Sequence, residues 1–460
     1  MIGSNRSFGY DAAATFANFI ATPSVLDAFA VRSVIPTIPV TQVATNDHVL
    51  LSLISHAIFS ITGSRSEAVY RVIPALAAGA TVGVSTTVLV RRFGLLAGLC
   101  AGLFIATDPL FVDNSRDLRG YSLAALGSVA GTLILVNLPA RGEVGAKRRV
   151  GASHLPTRGE VGAKRRVGAS YLPTRGEVGA KRRVGAYLIA YALVMGLAIA
   201  AQLFAIVVLA CHAAWLLARR SGFGELLPAW VAAAAIGLAA NANIYILELT
   251  RHGLPPPLFN PTFPRDLALF LVGAPVLLPV GLWLATVGLG IWTQRGQAWL
   301  WTTVVVVAAA VAVLWLGLRP AFLYPRFFVF LVPGLAYLVA AAIARWWVLA
   351  PVVVAGAGAA VLGQAPAYLQ DPLALPQAAA AVEAMHRAGQ TPCVVHSDEQ
   401  VLSAYTSDFK VVTSADQLAG CDAVVVVSWG VDLALRDEAA RQFPSLTTLP
   451  AYYPAVVLRR

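Results

Sequence analysis

Tyr187 to Ala218 is a run of 32 residues without a single Asp, Glu, Lys or Arg, and arginine pairs close it at both ends, Arg182-Arg183 and Arg219-Arg220. A bilayer core takes about 20 helical residues, so the run is too long for one crossing and short for two. Arginines favour the cytoplasmic side. Both flanks are satisfied only if the run enters the membrane and returns as a tight helical hairpin, turning near Gln202. A chain built around such a segment folds in a membrane, and its composition agrees: 58% hydrophobic, 12% charged and a mean hydropathy of +0.71 over 460 residues lie well outside the soluble range.

Other apolar runs extend the pattern. Glu67 to Val90, Phe93 to Thr107, Tyr121 to Asn137, Leu226 to Leu249, Asp266 to Trp292, Trp299 to Leu318, Phe327 to Ala344 and Trp347 to Gly363 read as spans. The run Val49 to Ile61 is short, and it is expected to lie along or dip into the outer leaflet. The expectation is a mainly α, polytopic helical membrane protein with about 10–11 membrane helices. With Arg91-Arg92, Arg219-Arg220, Arg295 and Arg345 inside, every intervening segment alternates. The Pro-rich stretches Thr250 to Arg265 and Arg319 to Arg326 then lie outside.

From about Gln364 the composition turns polar and strands alternate with helices, the pattern of a small α/β domain. The expected division is a membrane domain over 1–363 and an extracytoplasmic α/β domain over 364–460. Expected strands are Cys393 to His396, Phe409 to Val412, Asp422 to Ser428 and Ala455 to Arg459; expected helices are Pro376 to Ala388, Asp398 to Tyr405 and Asp432 to Phe443. Cys100 and Cys211 sit in apolar helices as packing residues. Cys393 and Cys421 would suit a disulfide if their domain is outside the cell.

The net charge of +11 suggests an anionic partner, but it is local. A segment Arg-Gly-Glu-Val-Gly-Ala-Lys-Arg-Arg-Val-Gly-Ala starts at Arg141, Arg158 and Arg175 and carries most of that charge. The copies lack the apolar face and distinct caps of a solenoid. They read as a flexible, basic, cytoplasmic loop over 138–186 that can face anionic lipid, and nucleic acid is not an expected partner. Met1 to Tyr10 has no apolar core, so no signal peptide is expected there and a later helix targets the chain.

Between two apolar segments stands a knot of opposite charges, Asn114-Ser115-Arg116-Asp117-Leu118-Arg119-Gly120-Tyr121-Ser122. Charge at membrane depth costs roughly 2.5–3.5 kcal/mol per residue on insertion scales unless paired or wetted. Arg116 and Asp117 would also serve as headgroup anchors at a loop end, but Arg71 and other charged residues fall on the same side. Arginines at such a place can grip two phosphate oxygens at once, or snorkel to the interface. His48 could add a donor, or be a bystander to a helix cap by Asn46 or Asp47.

Several of these pieces together resemble the GT-C membrane glycosyltransferases, in the branch of protein O-mannosyltransferases and lipid A aminoarabinose transferases. They are Phe8-Gly9-Tyr10-Asp11, Asn46-Asp47-His48, Ser66-Glu67 through Arg71-Val-Ile-Pro74, the charged knot, and Tyr324-Pro325-Arg326. The resemblance implies a sugar donor linked to polyprenyl phosphate and transfer on the outer face of the plasma membrane, with the acceptor left open. It implies Asp11 as catalytic base, and Arg71, Arg119 and His48 on the donor phosphate. Asp47, Asp117, Arg116 and Arg326 would support them. A divalent metal is compatible and none is required. The chain departs from the family pattern at Ala12, where an acid commonly follows the Asp, and it begins almost on the first motif, so that an upstream start or a truncated copy is expected. A transporter or flippase for a lipid-linked substrate, or an inactive remnant of the fold, are the alternative readings.

Overall fold

The computed structural model describes residues 10–33, 43–46, 48–137, 175–219, 223–244, 263–272, 277–294, 306–312, 324–369, 374–427, 433–449 and 455–459. Helix α1 (Tyr10–Thr15) runs into a single π turn, Phe16–Ile20. A short antiparallel ribbon of β1 (Val31–Ser33) and β2 (Val43–Thr45) follows, with Val31 opposite Thr45. Helix α2 (Val49–Thr62) closes on Gly63 at φ +60°, the left-handed cap that glycine adopts without strain.

Helix α3 (Glu67–Phe93) has an acid in its first turn and Arg91 and Arg92 in its last, the polarity that a helix dipole favours. Helix α4 (Leu95–Thr107) and α5 (Pro109–Ser115) meet at a bend of 57°, and only together are they long and apolar enough to cross a membrane. Sequence reading assigned no helix between Thr107 and Tyr121, only the charged knot. The signal for α5 was nevertheless present, because Asp108 accepts from the Phe111 N–H at 2.9 Å and Pro109 fills the first helical position. Helix α6 (Tyr121–Val136) follows.

Helix α7 (Arg175–Ala201) begins at the third copy of the basic repeat, so the expected loop ends earlier than 186. Arg, Glu, Ala and Lys are good helix formers, and the membrane helix that follows extends back through them. The first two copies lie outside the described residues. The expected turn at Gln202 is present: α7 stops at Ala201, and α8 (Ile206–Arg219) starts after a 3-10 turn. Tyr191 of α7 and His212 of α8 meet across it, hydroxyl to Nδ1 at 2.9 Å, with Thr132 of α6 at 3.0 Å from Nε2.

Helices α9 (Phe223–Ala240), α10 (Phe263–Val272) and α11 (Leu277–Thr293) follow, then a helical segment at 306–312. The Pro-rich stretch after α9 lies outside the described residues up to Phe263. A 3-10 turn, Pro325–Leu331, leads into α12 (Val332–Arg345), and α13 is Ala350–Leu369. Among the described residues three helices are long and apolar enough to cross alone, at Glu67–Phe93, Val184–Ala201 and Pro325–Arg345, and the bent pair makes a fourth. Shorter apolar helices such as Tyr121–Val136 and Gly224–Ala240 stand with them.

The C-terminal domain follows the expected alternation. Its elements are α14 (Leu375–Arg387), β3 (Pro392–Val395), α15 (His396–Leu402), β4 (Lys410–Val412), β5 (Ala423–Val426), α16 (Leu433–Gln442), β6 (Ser445–Leu449) and β7 (Ala455–Arg459). The sheet order is β4-β3-β5-β7-β6, with β3 parallel to both neighbours and β7 antiparallel to both of its own. Strand side chains alternate between two cores: Val394 and Val425 pack with Val382 and Met385, while Val395 and Val424 pack with Leu435 and Phe443. Sequence reading missed β6, an exposed edge strand of Ser, Thr and Leu with no buried alternation. Cys393 and Cys421 form a disulfide across a Cα–Cα distance of 5.8 Å.

Candidate active site

Two chain segments converge on the C-terminal carbonyl of α7. His48, which precedes α2 and is 1% exposed, has Nδ1 at 3.0 Å from the Ala201 oxygen. Gly120, at the start of α6, lies so close that a Cβ there would stand 1.9 Å from the same oxygen. Only glycine allows this approach. A helix end exposes unsatisfied carbonyls, and here one of them becomes the anchor of the charged knot.

The contact also fixes the imidazole. A carbonyl only accepts, so Nδ1 carries the proton and Nε2 presents its lone pair. That lone pair faces Arg119 Nη1 at 3.3 Å, and a guanidinium only donates. In this arrangement His48 is an acceptor that aligns Arg119; sequence reading left it as a donor to phosphate or a bystander to a helix cap. Tyr121 packs edge-on against the imidazole at 4.8 Å between centroids.

Asp117 braces Arg119 from another side, Oδ2 to Nε at 3.9 Å. Sequence reading left open whether Asp117 partners Arg116 or Arg119. Arg116 pairs instead with Asp113 at 3.0 Å, one turn back on α5. Arg71, on the first turns of α3, lies within electrostatic reach of Glu67, Asp117, Arg116 and Tyr405. Arg71, Asp117, Arg119 and His48 are thus brought to one end of the helical bundle. Arg326 is placed with its guanidinium over the Tyr324 ring at 4.5 Å, on the turn whose Phe327 neighbours Tyr121.

Asp11 lies on α1; its side chain, like the whole of Asp47, is outside the described residues. The backbone around it is informative. Ala12 and Ala13 are buried in one cluster with Tyr70 and Leu118, the immediate neighbours of Arg71 and of Asp117 and Arg119. Helix α1 therefore packs beside the knot. Ala12, at 1% exposure, fills that apolar cluster, where a second acid would be desolvated.

Asn46 ties the preceding segment down. Its amide donates to the Ala28 carbonyl at 2.8 Å, and its oxygen accepts from the His48 N–H at 3.1 Å and the Ser52 hydroxyl at 3.3 Å. Sequence reading quoted Glu67 only within the Ser66-Glu67 motif and Gln202 only as the hairpin turn, and gave neither a role in this site. Gln202 follows Ala201 directly and is 1% exposed, its Oε1 accepting from the Phe204 N–H. The signal for it was a polar amide in a long apolar run. Among the described residues no group of three His, Cys, Asp or Glu side chains is arranged to hold a metal ion.

No family model matches the chain, and no curated protein matches it by sequence. Solved structures do. ArnT from Cupriavidus metallidurans in the apo state superposes with a TM-score of 0.52 at 15% identity, over 98% of this chain and 94% of that one. The same protein bound to undecaprenyl phosphate superposes with a TM-score of 0.52 at 14% identity, over 99% and 94%. The likeness extends through both the membrane part and the C-terminal domain, and it establishes the fold: a polytopic helical membrane architecture like that of ArnT.

Proposed function

We propose that this chain is a membrane glycosyltransferase that moves a sugar from a polyprenyl-phosphate donor to an acceptor on the outer face of the plasma membrane. One observation supports the reading: Arg119, aligned by His48 and Asp117 and joined by Arg71, forms a cationic cluster at the end of the bundle, beside the helix α1 that carries Asp11. A solved structure of the same fold holds undecaprenyl phosphate, and the paired guanidinium groups suit the same headgroup chemistry.

In this scheme Asp11 takes the proton from the acceptor hydroxyl as its oxygen attacks the anomeric carbon. The carbon–phosphate oxygen bond breaks, and polyprenyl phosphate leaves with the bonding pair. Arg119 and Arg71 stabilise the charge that grows on the leaving phosphate. Attack opposite the leaving group inverts the anomeric centre. The C-terminal domain faces the same side as the cluster, and its disulfide suits an oxidising compartment.

The test uses membranes carrying the wild type, Asp11→Asn or Arg119→Ala, incubated with radiolabelled polyprenyl-phosphate sugars. Transfer by the wild type, abolished in Asp11→Asn and reduced by about 100-fold or more in Arg119→Ala with the protein still inserted, is the expected result. Movement of labelled lipid across the bilayer without transfer would establish a flippase instead, and silence in all three an inactive remnant.

A further inference from the structure

We propose that His212, buried between helices of the membrane part, is a positioning residue for the phosphate grip: it clasps α6, α7 and α8 in the register that sets the Ala201 carbonyl against His48. The inference rests on the polyprenyl-phosphate reading and carries the support of that site deep into the bundle. Thr132, where the clasp meets α6, stands 12 residues beyond Gly120, about 18 Å along a helix.

The hydrogen bonds around the imidazole run in one direction. Thr132 Oγ1 lies 2.7 Å from the Ser128 carbonyl, which only accepts, so the Thr132 hydrogen goes there. Its oxygen takes a hydrogen in turn from His212 Nε2, at 3.0 Å. With the proton on Nε2, Nδ1 is the acceptor, and the Tyr191 hydroxyl donates to it at 2.9 Å. Tyr191 is fully buried and His212 is 6% exposed. One side chain thus joins three helices, and each ring nitrogen has the partner its proton state requires. A polar group buried this far is costly to leave without its partner, so the joint resists being undone.

Between the clasp and the charged knot the α6 face is smooth. Helices α6 and α7 run antiparallel along a row of glycines: a Cβ on Gly131 would meet Met195 Sδ at 2.3 Å, one on Gly127 the Ala198 Cβ at 2.6 Å, and one on Gly120 the Ala201 oxygen at 1.9 Å. Glycines let the backbones approach but bring no side chains of their own to interlock, and lipid supplies no hydrophobic drive that would choose one register. A slip of one residue moves a helix about 1.5 Å along its axis. That is half the 3.0 Å between His48 Nδ1 and the Ala201 oxygen. The clasp is the stop against that slip, and through Ala201 it holds the imidazole that faces Arg119.

The experiment titrates undecaprenyl phosphate into the purified full-length chain in detergent micelles, for His212→Leu and His212→Gln in the wild-type and His48→Ala backgrounds. Leucine keeps apolar bulk and removes both bonds, whereas glutamine offers an acceptor and a donor again. The proposal expects His212→Leu to weaken binding about tenfold, the scale of two interhelical hydrogen bonds lost in a bilayer, and His212→Gln to recover to within about threefold of the wild type. In the His48→Ala background the same leucine should change affinity by less than about twofold, because the contact that the clasp serves is already gone. Unchanged affinity in His212→Leu overturns the proposal. So does an equal loss in both backgrounds, the mark of loosened packing alone. Should the leucine variant fail to insert, Tyr191→Phe removes one bond and keeps the ring: a loss of about threefold that vanishes in the His48→Ala background supports the clasp, and unchanged affinity overturns it. A wild type that does not bind undecaprenyl phosphate overturns the polyprenyl-phosphate reading and this proposal with it, whereas a wild type that binds no better than its variants overturns this proposal alone.

Discussion

At the residue scale, the position of one proton decides what His48 does. Its Nδ1–H is spent on the Ala201 carbonyl, leaving Nε2 as an acceptor for Arg119. His48→Ala would leave that carbonyl and a guanidinium N–H without their buried partner, a cost of about 1–3 kcal/mol. Transfer should fall with it. His48→Gln, whose amide offers a donor and an acceptor, should recover part of both, as read by thermal unfolding in detergent and by transfer rate. Alanine as stable and active as the wild type would make His48 a bystander.

A second residue-scale prediction concerns Asp398 in the C-terminal domain. It is 1% exposed, and burial pushes its carboxyl up to about 7, against the Val427 N–H at 2.8 Å and the Arg436 charge, which pull it down. The folded domain therefore holds a proton that the unfolded chain has released. This group's contribution is most favourable below about pH 4, declines as pH rises towards 7, and is fully unfavourable above that. A rise from 3.8 to about 7 corresponds to about 4 kcal/mol as an upper limit, at 1.36 kcal/mol per pH unit. Asp398→Asn keeps an acceptor for the Val427 N–H and removes the titration. It should raise the unfolding temperature at pH 8 and flatten its pH dependence between about 4 and 7; a variant with the wild-type profile would disprove the assignment.

At the scale of elements, α3 and α4 pack through small residues. A Cβ on Gly98 would meet the Val90 backbone nitrogen at 2.4 Å, and one on Gly102 would meet Thr86 Oγ1 at 2.1 Å. Glycines four apart let helix backbones approach where lipid supplies no hydrophobic drive between them. Gly102→Val should push α4 outward and cost about 1–3 kcal/mol, measured as a lower unfolding temperature in detergent. The same helix pair sets the relation of Arg71 on α3 to the knot that follows α4 and α5, so transfer should fall further than stability alone accounts for. A valine variant with unchanged melting would show that the interface has slack.

At the scale of the molecule, the C-terminal domain reports its own sidedness. The Cys393–Cys421 bridge closes a separation of 28 residues, which the chain-entropy account values at about 3–4 kcal/mol. In intact cells a maleimide that does not cross membranes should label the chain only after reduction, at these two positions. Cys100 and Cys211 are buried in the membrane part and should stay silent. Labelling without a reductant, or only after the cells are opened, would contradict the outer placement proposed for the domain.

The membrane fold was readable in the sequence because bilayer thickness and arginine placement act locally. They marked the apolar runs, the turn at Gln202 and the polar C-terminal domain with most of its strands. Asp108-Pro109 marked α5 just as locally, although the charged context hid it. The resemblance drew attention to Arg71, Arg119 and His48, yet no spacing could say that Ala201, far along the chain, supplies the carbonyl that orients His48. Nor could it show Asp113 taking Arg116 and leaving Asp117 beside Arg119. Tyr405 at Glu67 joins residues 338 apart. Periodicity and charge pattern fix which segments form helices and where they sit in a bilayer, whereas hydrogen-bond partners among buried charges depend on which helix ends come within 3–4 Å, and only the packed structure decides that.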